Sequence, residues 1–177
     1  MSSEAKVVQR KLVAPGAEKV IFVTGMSGTG KTTVLERLRQ LGFETVDTDE
    51  EGWGEEVWFP DEGRTGWVWK EKRIAYLLAQ PRQTPLFLSG TVSNQGKFYP
   101  QFDHVVLLSA PTEVMLERVR ERTNNSYGKT ADQQAEILEY TRTVEPLLRR
   151  GADLEIDTAH ASASEVAEQL IQLAQTP

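Results

Sequence analysis

The apolar positions of this chain change period several times, and each change marks an element. Val20-Ile21-Phe22-Val23 is a continuous apolar run closed by Thr24, the pattern of a strand buried on both faces. Val34, Leu35, Leu38 and Leu41 then recur at i, i+1, i+4 and i+7 among Glu36, Arg37, Arg39 and Gln40. That spacing predicts an amphipathic helix from about Lys31, ended by Gly42 as a C′ glycine. Phe43 to Val46 reads as a short strand. Lys70 to Ala79 reads as a helix with Ile74, Leu77 and Leu78 on one side, stopped by Pro81. Pro85 to Ser89 and His104 to Ser109 are further buried strands. Pro111 opens a helix whose core side is expected to hold Val114, Leu116 and Val119. A polar, hinge-like stretch from Thr123 to Lys129 leads to a long helix over about 131–150, bent at Glu145-Pro146. A last strand covers 152–158 and a closing amphipathic helix 164–174. Strands alternating with helices in this way predict an α/β fold, a parallel sheet covered on both faces.

With 177 residues the chain fits one domain with a real core. Its net charge of −6 argues against nucleic acid as the main partner, which demands a basic face. Without cysteine, and with only His104 and His160, thiolate chemistry and a Cys/His metal site are not expected. The chemistry falls to Lys, Arg, carboxylates, hydroxyls and backbone. No apolar run is long enough for a membrane span and no signal-peptide pattern precedes the first strand, so a cytoplasmic protein is expected. Residues 1–17 read as a polar lead-in, either a short extra strand or a frayed tail.

The candidate chemistry begins at Gly25-Met26-Ser27-Gly28-Thr29-Gly30-Lys31-Thr32, followed by Thr33. The pattern G-x-x-x-x-G-K-[ST] between a buried strand and an amphipathic helix is a phosphate-binding loop: turned backbone N–H groups cradle a polyphosphate, the lysine reaches its outer phosphates and the threonine offers a hydroxyl to Mg²⁺. The short second strand ends in Asp47-Thr48-Asp49, where a metal or a substrate hydroxyl would be met at the carboxyl edge of a parallel sheet. All four tryptophans, Trp53, Trp58, Trp67 and Trp69, fall within residues 52–69. That stretch reads as an insert outside the core, suited to a small-molecule pocket or an interface. Gly90 and Thr91 open a small-residue loop that could approach a ligand closely.

The order of these parts resembles the small-molecule and nucleoside monophosphate kinases of the P-loop class, the group of shikimate, gluconate and adenylate kinases. The resemblance covers about residues 18–177 and rests on the P-loop, the Asp47-x-Asp49 strand end, the arginine-bearing helix before a polar LID at 122–131, and Asp157-Thr158 after the last strand. It implies a five-stranded parallel sheet of order 2-3-1-4-5, and ATP with Mg²⁺ as cofactors. By the same resemblance Thr32 and Asp47 hold the metal, Asp47 through water, and Asp49 receives the acceptor hydroxyl and its proton. Arg118 stacks on adenine, Arg122 neutralises phosphate charge, and Asp157, Thr158 and Ala159 border the base. Lys31, Asp49 and Arg122 are the catalytic set.

Two departures bear on the acceptor. The glycine signature expected after the third strand of shikimate kinases is only Ser89-Gly90-Thr91, and the Trp-rich stretch over 52–80 stands where those enzymes use arginines for a carboxylate. The acceptor is therefore expected to be a nucleotide or a small hydroxylated molecule such as a nucleoside or a sugar rather than shikimate, met by Asp49, Trp53, Trp69, Arg73, Gly90 and Thr91. A monomer or homodimer acting on a small-molecule phosphoryl acceptor, with no nucleic-acid or membrane partner, follows. The competing reading is a nucleotide-dependent regulatory ATPase or switch signalling to a protein partner. No Asn-Lys-x-Asp base-reading motif supports a GTPase.

Overall fold

The computed structural model describes residues 18–177, so the lead-in assigned to 1–17 lies outside the described residues. Five parallel strands carry the architecture: β1 (Val20–Thr24), β2 (Glu44–Asp47), β5 (Leu86–Ser89), β6 (His104–Ser109) and β7 (Leu154–Asp157), laid side by side as β2-β5-β1-β6-β7. Numbered among themselves these are the expected order 2-3-1-4-5. The period-2 alternation of each strand sorts its side chains between two cores. Ile21, Val23, Phe87, Val106 and Leu108 face α1 (Lys31–Gln40) and α6 (Ala163–Gln175), packing with Val34, Leu38, Val166 and Leu170. Val20, Phe22, Leu86, Leu88 and Val105 face the other way, toward α2 (Glu71–Leu78) and a 3₁₀ helix at Gln95–Gln101, packing with Ile74 and Phe98.

The Trp-rich stretch is not a loop. Gly54–Phe59 (β3) and Arg64–Trp69 (β4) pair antiparallel as a hairpin, with Gly63 at φ +63 in its turn. Nor is all of it outside the core. Trp69 is fully buried, edge-on to Phe22 at 5.4 Å and to Phe98 at 5.7 Å, and its Nε1 donates to Thr48 Oγ1 at 2.8 Å. The expectation that Trp69 meets the acceptor is corrected by this packing. The ring anchors the hairpin to the sheet, while Trp58 and Trp67 stay 57% and 53% exposed. Gly90 serves the same anchor: a Cβ there would lie 2.1 Å from Thr48 Oγ1 and 3.2 Å from the Trp69 ring, so its missing side chain makes room for core packing and not for a ligand. Trp69→Phe, which removes the indole N–H and shrinks the ring, is expected to lower stability by about 1–2 kcal/mol in denaturant unfolding.

Two helices differ from expectation. In α3 (Thr112–Glu121) the buried positions are Met115 and Val119, while Val114 and Leu116 are only half-buried. The helix is turned so that this i, i+4 pair backs the P-loop. The helix over 131–150 is broken rather than bent: α4 (Ala131–Thr143) and α5 (Glu145–Gly151) meet at Val144, because Pro146 has no N–H to continue the ladder.

Candidate active site

The carboxyl ends of the five parallel strands open into a cleft of about 960 Å³. Its floor is the loop from Gly25 to Thr33. Gly28 takes φ +87, and a Cβ there would stand 2.5 Å from the Met115 carbonyl oxygen, so only glycine lets the loop seat against α3. Thr29 is buried beneath the loop, its Oγ1 donating to the Met26 carbonyl at 2.8 Å. Thr91 braces the other side, donating to the Gly25 carbonyl at 2.8 Å. α1 starts without a side-chain cap and without an acidic residue in its first turn, whereas α4 and α6 each carry a full capping box. Its first N–H groups and positive dipole end are therefore left for an anion.

The charges of the cleft depend on one another. Lys31 Nζ donates to the carbonyls of Gly25 at 2.6 Å and Met26 at 3.2 Å. Burial pulls its pKa down, against the opposing pull of Asp49 and Asp47, with Arg122 adding to the fall. A polyphosphate would supply the negative charge this ammonium lacks. Asp49 lines the cleft and its pKa is raised, first because the site hydrates its charged form poorly; Lys31 opposes the rise, Asp47 reinforces it and Arg122 opposes it. Asp47 sits behind, buried, with Oδ2 accepting from Thr32 Oγ1 at 3.0 Å and Oδ1 from the Asp49 amide at 3.0 Å. The two carboxylates thus divide: one is held against the P-loop threonine, the other faces the cleft.

Arg118 and Arg122, one helical turn apart, come from α3 and its C-terminus. Arg118 donates to the Thr158 side chain and carbonyl, both at 2.8 Å, and to the Gly28 carbonyl at 3.2 Å. Thr158 in turn donates to the Thr29 carbonyl at 2.9 Å, so the end of β7, the P-loop and α3 are laced together. Arg122 donates to Ser27 Oγ at 3.1 Å and to the Tyr127 carbonyl at 2.7 Å, and its buried Nε has no partner. A guanidinium placed beside a phosphate-binding loop has the charge and planar donors that suit an anion. Lys129, by donating to the Arg120 and Arg122 carbonyls, folds the following segment back onto the helix end.

Other sequence-predicted residues stand elsewhere. Trp53 lies outside the cleft beneath Arg73, whose guanidinium sits 4.1 Å above the ring and donates to the Gly52 carbonyl at 2.8 Å. Asp157 turns away, accepting from the Ala159 amide and pairing with His160. The lining that sequence reasoning missed is Tyr127 and Tyr140, whose hydroxyls both donate to Glu136, and the stretch His160 to Ala163 that leads into α6. Only the 136/140 spacing was visible as a helical pair.

The chain is similar to known proteins in sequence and in fold. A family model described as an AAA domain matches residues 21–139. A shikimate kinase of Bordetella pertussis is 31% identical over 160 residues, covering 85% of this chain and 76% of that one. Another from Acinetobacter baumannii is 28% identical over 162 residues, covering 86% and 90%. Among solved structures, the Acinetobacter baumannii shikimate kinase in complex with shikimate superposes with a TM-score of 0.59 at 23% identity, covering 88% of this chain and 92% of that one. A gluconokinase from Sinorhizobium meliloti superposes at 0.54 and 19% identity, covering 89% and 92%. These superpositions share the fold, and together with the family match and the aligned relatives they show that the chain belongs to the AAA-domain family of P-loop proteins, among its small-molecule kinases.

Proposed function

We propose that this kinase transfers the γ-phosphoryl group of ATP, carried in with Mg²⁺, to a hydroxyl of a neutral small molecule. The observation that carries the reading is the convergence of Lys31, Asp49 and Arg122 on one cleft at the P-loop, where Asp49 acts on the ionisation of both cations and both act on Asp49. In-line transfer needs positive charge around the moving phosphoryl group and a carboxylate at the attacking hydroxyl. Lys31 and Arg122 supply the first. Asp49 supplies the second: as the acceptor oxygen bonds to Pγ, its proton passes to the Asp49 carboxylate, and the breaking Pγ–O bond leaves its electrons on ADP. Arg118, beside the 158–163 stretch, flanks the base.

The donor chemistry at Thr32 and Asp47 suits magnesium, with one hydroxyl and one carboxylate already in contact. Among the described residues no cluster of three or more His, Cys, Asp or Glu side chains is placed to hold a metal by itself. Mg²⁺ characteristically takes few protein ligands and fills its shell with water and phosphate. When bound it would neutralise charge on the phosphates.

A neutral acceptor is supported by the cations. Apart from His160, those lining the cleft are Lys31, Arg118 and Arg122, all bonded within or against the P-loop. Arg73 is engaged by Trp53 and Gly52, and among the described residues Arg118 and Arg122 are the arginines that line the cleft. The test is ADP release with Mg-ATP against nucleosides, sugars, aminoglycosides, nucleoside monophosphates and shikimate, with product mass as readout. A gain with a neutral acceptor and one added phosphate is the expected result. A gain with shikimate alone overturns the acceptor class. Tight nucleotide binding with no gain across the panel overturns the transfer reading in favour of a nucleotide-dependent switch.

A further inference from the structure

The β3–β4 hairpin sorts its positions between two faces. Its antiparallel register pairs Gly54 with Trp69, Glu56 with Trp67 and Trp58 with Thr65, and directly paired residues share a face. Trp69 tells which way that face looks. Its ring enters the core against Phe22 and Phe98, and its Nε1 donates to Thr48 Oγ1, between Asp47 and Asp49 in the chain. The face of the three tryptophans is therefore the one turned toward the carboxyl end of the sheet, where β2 delivers Asp49.

Trp67 stands two residues along β4 from this anchor, about 7 Å on, and Trp58 lies one same-face pair further. Both are more than half exposed, and neither joins a hydrophobic core. Gly54 decides how Trp67 is held. A Cβ at Gly54 would stand 2.1 Å from Trp67 Nε1 and 2.4 Å from Cε2, so the indole lies against bare backbone and buries the glycine. The ring is backed by the strand while about half of its surface stays free. A rigid indole held in this way offers a large apolar area at little entropic cost.

The other end of the hairpin approaches the opposite wall of the cleft. Tyr140 of α4 lines that cleft, and its pKa is raised, first by poor hydration of the phenolate and then by Glu136. Arg64, in the last pair before the hairpin turn, is near enough to oppose the rise. The hairpin thus runs from the strand end that carries Asp49 toward the LID side.

We propose that Trp67, with Trp58 beyond it, is the stacking platform of the phosphoryl acceptor, and that the acceptor is a hydroxylated ring compound with a flat apolar face. The ring lies on the Trp67 indole while a hydroxyl meets Asp49. A sugar ring and a nucleoside base both present such a face. Glu56, on the same face as Trp67, adds a carboxylate that can accept from ring hydroxyls. This rests on the phosphoryl-transfer reading above and narrows its acceptor. It moves the aromatic contact from Trp69 and Trp53, which the fold uses as anchors, to the tryptophans that are free.

The experiment extends the acceptor panel above with the acyclic polyols ribitol and sorbitol. KM and kcat are then measured, for the acceptor with the largest gain, in the parent, Trp67→Ala and Trp67→Phe. A cyclic acceptor is expected, with KM raised about tenfold in Trp67→Ala and within about threefold of the parent in Trp67→Phe, which keeps a flat ring. Nucleosides against sugars in the panel tell which ring is stacked. ADP affinity and melting temperature close to the parent's show that Trp67→Ala is folded, and Trp67→Phe carries the comparison if it is not, since a ring-free polyol preferred by the parent overturns the proposal without any variant. An unchanged KM in Trp67→Ala, with transfer intact, places Trp67 outside the acceptor site and this inference alone falls. No gain across the whole panel overturns the inference together with the transfer reading.

Discussion

Asp49→Asn is expected to lower turnover by about 10²–10⁴-fold, the range of a lost general base, while nucleotide affinity stays within about twofold. The variant keeps the size of the side chain and removes only its capacity to take a proton. Its neighbour Asp47, which holds Thr32, is untouched, so an equal loss in nucleotide binding would place Asp49 in the metal shell instead. The pH profile gives an independent readout. Poor hydration of the charged form raises the Asp49 pKa, against the pull of Lys31. The carboxylate must be ionised to act, so the acidic limb of kcat is expected above the ordinary carboxylate range and should vanish in the variant. Stability moves the opposite way. A carboxyl whose folded-state pKa is raised costs the fold increasingly as pH climbs from its unfolded to its folded value, and the full cost persists above that. Asp49→Asn removes the cost, so its melting temperature at neutral pH is expected to rise. Less activity with more stability is the pattern of a residue kept for chemistry.

The parts of this site that were legible in the sequence are those whose geometry is local. The P-loop declares itself because eight consecutive residues between a β1-type run and an α1-type pattern determine both fold and anion site. Asp47 and Asp49 are legible because a strand end in a parallel sheet faces the crevice, whereas Arg118 and Arg122 were singled out from the other arginines of the helix only by the resemblance to adenylate-kinase-like enzymes. The Trp-rich hairpin was illegible for a physical reason. Gly54-Glu55-Glu56-Val57 carries no apolar alternation to announce a strand, and β3 is held by its pairing with β4 and by Trp69 at the base. Whether a tryptophan there is core or surface depends on Phe22, Phe98 and Thr48, which are distant in sequence. Ser89 was read as the end of a buried strand. Its buried hydroxyl, which has no hydrogen-bond partner, became visible only when strand register set it opposite Asp47. Val119 takes its expected core position on α3, but Met115 replaces Val114 and Leu116 there because the helix is rotated by its contact with Gly28, a constraint the helical period alone does not contain.

Arg122→Ala is expected to reduce the single-turnover rate by about 10²–10³-fold, a loss of the size seen when charge stabilisation of phosphoryl transfer is removed. The guanidinium joins two parts of the cleft. One nitrogen bridges the P-loop at Ser27 and the LID backbone at Tyr127, while the buried Nε points at no protein acceptor. Burial weakens its hold on its proton and Asp49 and Tyr127 strengthen it, but an arginine stays protonated throughout the working pH range. Its charge is therefore fixed, and what binding changes is the partner it is aimed at. Arg122→Lys separates the two contributions. An ammonium keeps the charge but cannot bridge Ser27 and Tyr127 while also presenting the Nε–H, so it should recover only part of the rate. Arg118→Ala is the internal comparison. Arg118 is bonded to Thr158 and Gly28 on the base side, so its loss should raise the KM for nucleotide more than it lowers kcat. If Arg122→Ala instead raised KM and left the single-turnover rate intact, the arginine would be a ground-state clamp on the LID, and the charge for the transition state would have to come from Lys31 and the metal alone.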